Sequence, residues 1–191
     1  RGTRIRTPAG ETQVERLKPG DYVVTADHGV QKIRWIGSSR VARRPDLQPI
    51  RVARGALGGG LPHRTLYLSP QHRVLLRSKV VERMTGRREV LIPVKKLTAL
   101  RGIHPDTRTG HVRYFHILCD AEGAPAETLL PGPNACEAMG PEAWAELTAI
   151  FPDIGERIAH CLPARAVVEG ARLSHLVRRH RKNRVPLLEE S

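Results

Sequence analysis

The stretch Thr65-Leu66-Tyr67-Leu68-Ser69-Pro70-Gln71-His72-Arg73-Val74-Leu75-Leu76 sets a Pro-containing tight turn between two apolar strands. Ser69 stands three residues ahead of His72, so hydroxyl and imidazole project toward one spot. Such a pair can orient a carbonyl and protonate an amide nitrogen, the two things that peptide-bond cleavage requires. An ordinary capped surface turn has the same composition, so the stretch has to be read with its surroundings.

Outward from that turn the chain reads as many short strands. Thr3 to Thr7 alternates polar and apolar residues before Pro8-Ala9-Gly10 turns it. Val14 and Leu17 lead into the turn Lys18-Pro19-Gly20-Asp21, followed by the β-branched Tyr22 to Thr25. Val30 to Ile36, Ile50 to Ala53, Glu89 to Ile92 and His111 to Cys119 are further strands. The spacing predicts a mainly β body. Beyond about Gly123 the composition changes. Pro141 to Phe151 has Pro at a first helical position, acids in the first turn and Pro152 as a stop. A last helix is predicted from Glu169 to about Arg181, with Leu173, Leu176 and Val177 on one stripe and the basic run Arg178 to Lys182 at its end, where cations suit the helix dipole. Val14-Glu15-Arg16-Leu17 precedes a turn and then strands, and Val94-Lys95-Lys96-Leu97 precedes a Gly-containing loop and the strand His111 to Cys119, a faint internal echo.

Length and composition bound the function. With 191 residues, 40% hydrophobic and 27% charged, the chain is globular and large enough for a buried core. No stretch has the length of a membrane span, and no signal peptide is read at the amino end. The net charge of +13 is unevenly placed: +15 over Arg1 to Asp120, −6 over Ala121 to Ala164 and +4 over Arg165 to Ser191. An acidic middle docked on a basic body is one expectation; a surface for nucleic acid is another. Cys119, Cys136 and Cys161 form no CxxC pair and no metal-site spacing with histidine, and read as core or semi-buried thiols. Gly58-Gly59-Gly60 lacks the Lys-Ser or Lys-Thr of a phosphate loop and reads as a flexible hairpin loop.

Gly2 to Gly10, then Val14 to Thr25, resembles the opening of the Hint domain, the self-processing module of hedgehog proteins and inteins, in its bacterial branch. The resemblance continues in order through a strand at Val30 to Gly37 with Trp35, the Ser69 to His72 turn, Leu91-Ile92-Pro93-Val94-Lys95 and Tyr114-Phe115-His116-Ile117-Leu118. Ala121 to Pro125, Pro131-Gly132-Pro133 and the Pro-Glu-Ala helix extend it. It implies a pseudo-two-fold β body over residues 1–130 with a helical C-terminal extension over 131–191.

The resemblance further implies that a first-residue Cys attacks the preceding carbonyl to give a thioester. His72 protonates the departing amide nitrogen, and Ser69, where many relatives carry Thr, orients the bond. His116 falls where inteins often hold an Asp acting on the same first residue; a core histidine bonded to a backbone carbonyl is the alternative. The Cys is expected upstream of Arg1, so the chain starting there is expected to be inert. A strand with a further His is expected to be absent after Asp120, and no closing His-Asn pair supports Asn cyclisation.

The implied partner is a polypeptide fused upstream; no cofactor or metal is expected, and no compartment is indicated. Two alternatives stand beside autoprocessing: a basic β domain binding nucleic acid non-specifically, and an inert interaction module on the same fold. With aromatics at 4% and no recognition-helix motif, sequence-specific nucleic-acid binding is disfavoured. His28, His63, His104, His111, His160, His175 and His180 have no ligand spacing and read as surface or packing residues.

Overall fold

The computed structural model describes residues 2–43, 48–119 and 165–189. Among these the protein is mainly β, with ten strands and two α-helices in two compact units. Unit 1 holds the described residues up to 42 and 111–119; unit 2 holds 43–110 and 165–189.

In unit 1, β1 (Arg4–Thr7) and β2 (Gly10–Gln13) form an antiparallel hairpin, which runs into a 3-10 turn at Val14–Arg16. β3 (Tyr22–Val24), β4 (Val30–Ala42) and β10 (His111–Cys119) form an antiparallel sheet in the order β10-β4-β3. The long pairing of β10 with β4 aligns His116 with Gly37, Leu118 with Trp35 and Tyr114 with Ser39, then shifts register between Leu118 and Cys119. Val14, Leu17, Val23, Ile33, Ile117 and Cys119 form the core of this unit. Alternation explains it: Ile33 and Trp35 point inward from β4 while Lys32 and Arg34 stay exposed.

Unit 2 repeats the plan. β7 (Arg73–Arg77) and β8 (Glu89–Pro93) form its hairpin, which runs into a second 3-10 turn at Val94–Leu97. β5 (Ile50–Val52), β6 (Leu66–Leu68) and β9 (Ile103–Pro105) form a three-stranded sheet in the order β6-β5-β9. In each unit the strand that follows the 3-10 turn, β3 or β9, is an edge of the three-stranded sheet. The Val-x-x-Leu echo therefore marks a structural repeat: Val14 and Leu17 are buried in one unit, Val94 and Leu97 in the other.

The C-terminal helix, α2 (Gly170–Asn183), completes the core of unit 2. Leu173, Leu176 and Val177, the stripe expected from sequence, pack with Val168 and Leu187 into one cluster with Val52, Leu76, Val90, Ile92, Val94 and Ile103. Two backbone bridges, Leu91 with Val167 and Arg77 with Leu188, tie the flanks of the helix to the hairpin.

Three elements went unread in the sequence. β2 and β9 are short and carry turn-forming residues, so tertiary pairing decides them. α1 (Lys79–Thr85) contains the β-branched pair Val80-Val81, a strand signal. Its caps override that signal: the Ser78 hydroxyl accepts from Val81 N–H, and Gly86 takes the left-handed conformation at φ 70°. Gly58 to Gly60, read as a flexible loop, is a tight turn closed by Leu61 N–H donating to the Gly58 carbonyl at 2.8 Å. The predicted helix Pro141 to Phe151, Cys136, Cys161, the acidic segment and the strand expected to be absent after Asp120 lie outside the described residues.

Candidate functional site

The Ser69 to His72 turn joins β6 to β7 in unit 2 and is pinned by its backbone at three points. His72 N–H donates to the Ser69 carbonyl at 2.9 Å, which closes the turn, with Pro70 at its favoured second position. Val94 N–H donates to the His72 carbonyl at 2.8 Å, and Lys95 N–H to the Pro70 carbonyl at 3.1 Å. The second 3-10 turn thus clamps the Ser69 to His72 turn from behind. Because Val94 and Leu97 are fully buried, the clamp stands on the core. Both Ser69 and His72 are half-buried.

A second support lies upstream. The Arg108 guanidinium stacks 4.2 Å from the ring centroid of Tyr67, on the strand that enters the turn. Arg108 is held by Asp106, whose carboxylate accepts from Arg108 Nη2 at 2.7 Å and also pairs with Arg43. Asp106 is 5% exposed, and its N–H donates to the Pro49 carbonyl at 2.7 Å. The Arg108 hydrogen bonds, with Arg43 adding to them, outweigh burial and hold this carboxyl well below the usual carboxylate range.

The amino end of the chain is fixed in unit 1 by an equivalent clamp. Val14 N–H donates to the Thr3 carbonyl at 2.8 Å, and Gly2 N–H to Glu15 Oε2 at 2.8 Å. The sequence singled out Val14-Glu15-Arg16-Leu17 only as an echo; the role of Glu15 in holding Gly2 went unread. His116 also belongs to unit 1, on β10 opposite Gly37. Burial lowers its pKa, which favours the neutral imidazole. Only glycine fits at position 37, because a Cβ there would lie 2.2 Å from the Trp35 ring. Ser69 and His72 therefore share one turn, while His116 stands in the other unit, with the amino end.

A profile of the Hint domain matches residues 1–133. The chain belongs to the Hint domain family. Two crystal structures of the MchDnaB-1 intein are similar to it at 14% and 16% identity. Each similarity covers 63% of this chain, with 84% and 85% of the intein chains and TM-scores of 0.38 and 0.36. A crystal structure of the gp41-1 intein is similar at 12% identity, over 61% of this chain and 83% of that one, with a TM-score of 0.35. No curated protein sequence is similar enough to count as a match.

As a Hint domain, the protein carries a fold of the hedgehog and intein autoprocessing type, which accounts for the repeated hairpin, 3-10 turn and edge strand. Among the described residues, no helix is long and apolar enough to cross a membrane, and no group of three His, Cys, Asp or Glu side chains could hold a metal ion.

Proposed function

We propose that this Hint domain is the autoprocessing part of a longer precursor and cleaves the peptide bond before a Cys placed just ahead of Arg1. In the reaction, the Cys sulfur bonds to the preceding carbonyl carbon as its thiol loses a proton. The carbon–nitrogen bond then breaks, and the departing nitrogen takes a proton from His72. The products are a thioester and a free amine; a thiol or water completes release. Ser69 orients the scissile carbonyl, and neutral His116 is suited to take the thiol proton. A further residue is assigned by this reading: Glu15, which positions the amino end through Gly2 N–H.

The single observation that carries the proposal is the pair of backbone clamps on the His72 and Thr3 carbonyls, which fix the acid-bearing turn and the start of the chain by the same device. The test is the protein extended upstream by a Cys and a fused polypeptide, followed by mass spectrometry after addition of a thiol. Release of the fused polypeptide is expected. His72→Ala slows it by about a hundredfold or more, the size of a general-acid contribution. Ser69→Ala slows it less. Equal rates with and without His72 overturn the assignment of the acid, and an extended protein that never cleaves overturns autoprocessing in favour of an inert interaction module.

A further inference from the structure

The outer face of α2 is unusual in its charge. Between Gly170 and Asn183 the helix carries Arg172, Arg178, Arg179, Arg181 and Lys182 and no acidic residue. All five side chains are exposed, and none forms an ion pair among the described residues. The opposite face is committed to the core through Leu173, Leu176, Val177 and His180, so the helix is anchored by one side and its cations lie on the other. From Arg172 to Lys182 they extend about 15 Å along the axis. The helix dipole accounts for cations in the last turn, but not for Arg172, Arg178 and Arg179 before it.

We infer that this face is a docking surface for the phosphate backbone of duplex nucleic acid. Four of the five cations are Arg, whose planar fork matches phosphate oxygens in pairs. The other candidate polyanions fit less well. Insertion into a membrane interface would need the apolar face of the helix, which is buried in the core. An acidic polypeptide would need apolar anchors beside the charges, yet the exposed residues among them are Ala171, Ser174, His175 and Asn183. A single strand would need aromatic side chains to stack on, and the helix has none. With contacts to phosphate alone, binding carries no sequence preference.

The test is fluorescence anisotropy of a short labelled duplex DNA of random sequence with the whole protein, titrated between about 50 and 200 mM salt. Five phosphate contacts predict a slope of log K against log salt of about −4.5. The triple variant Arg178→Gln, Arg179→Gln, Lys182→Gln makes the slope shallower by about 2.7 and weakens binding at the lowest salt more than tenfold. Arg178→Lys with Arg179→Lys keeps the slope, which shows that charge and not misfolding is read. A control triple in unit 1, Arg4→Gln, Arg6→Gln, Lys32→Gln, retains binding. Equal weakening by both triples overturns the assignment to α2. Tighter binding to polyglutamate, to a single strand or to anionic-lipid vesicles than to duplex overturns the choice of partner.

Discussion

Val94 N–H donates to the His72 carbonyl at 2.8 Å, just as Val14 N–H donates to the Thr3 carbonyl at 2.8 Å. Each donor opens a 3-10 turn, and each acceptor immediately precedes the first strand of a hairpin. His72 is thus the internal repeat's counterpart of Thr3. One copy of the device presents an imidazole and the other presents the beginning of the chain. The same short clamp recurs in the two units and rests in each on buried Val and Leu side chains.

The clamp in unit 1 has a component the other lacks, the bond from Gly2 N–H to Glu15 Oε2. If the precursor is cleaved as proposed, Glu15→Ala lets the start of the chain move and slows thiol-induced release. Loss of about 1 kcal/mol for one exposed hydrogen bond corresponds to roughly fivefold. Glu15→Gln keeps an acceptor oxygen and restores most of the rate. Glu15 acts by positioning, so rescue by the amide is the informative measurement: a Gln variant as slow as the Ala variant shows that the carboxylate charge, and not its reach to Gly2, is what matters.

The β body, the last helix with its buried stripe and the Ser69 to His72 turn were all legible, because each depends on local signals. Lys32 to Trp35 alternates, Leu173 to Val177 follows a helical period, and Ser69-Pro70 marks a turn. What stayed hidden depends on partners distant in sequence. Ile103-His104-Pro105 becomes a strand only by pairing with Ile50-Arg51-Val52, and the pairing of Asp106 with Arg43 joins residues 63 positions apart. The basic run Arg178 to Lys182 was legible as charge, but its face became defined only when Leu173, Leu176 and Val177 were seen to point into unit 2.

Asp106 is the counter-ion that makes Arg43 tolerable in the interior of unit 2, where the Arg43 side chain is only 7% exposed. Asp106→Asn leaves that guanidinium buried without its carboxylate and is expected to destabilise unit 2 by about 3–5 kcal/mol. Pairing Asp106→Leu with Arg43→Met removes both charges and recovers most of that loss, because an apolar pair has no desolvation penalty to offset. Urea unfolding of the single and double variants measures both. A double variant as unstable as the single one shows that the Asp106 side chain matters for its Arg108 contact instead.

Acid destabilisation between neutral pH and about pH 5 has a different origin, since the Asp106 carboxyl is held below the carboxylate range and its contribution is lost only in stronger acid. His180 is 2% exposed at the end of α2. Its Nδ1 lies 3.0 Å from the Val185 carbonyl, which can only accept, so Nδ1 carries the proton. Nε2 then accepts from the Ser78 hydroxyl at 3.2 Å, and Ser78 Oγ in turn accepts from Val81 N–H at 3.1 Å. Protonating Nε2 would force the Ser78 hydroxyl to turn from donor to acceptor and would charge a buried ring. Burial lowers the pKa of His180, outweighing the Val185 carbonyl and Glu189, which act the other way. With the folded pKa below the unfolded value of about 6.5, the unfolded chain binds more protons below that pH. Stability is therefore full above about 6.5 and falls as pH drops toward the folded pKa, by up to about 1.4 kcal/mol per pH unit. His116 acts in the same direction in unit 1. Hydrogen exchange of amides in the β7–β8 hairpin of unit 2, corrected for the intrinsic rate, is expected to speed up between pH 7.5 and 5.5, and His180→Gln flattens that dependence while leaving the β4–β10 amides of unit 1 as they were. Exchange in the β7–β8 hairpin that is independent of pH in the unsubstituted protein, or equally pH-dependent in the His180→Gln variant, would show that His180 is not the group that titrates.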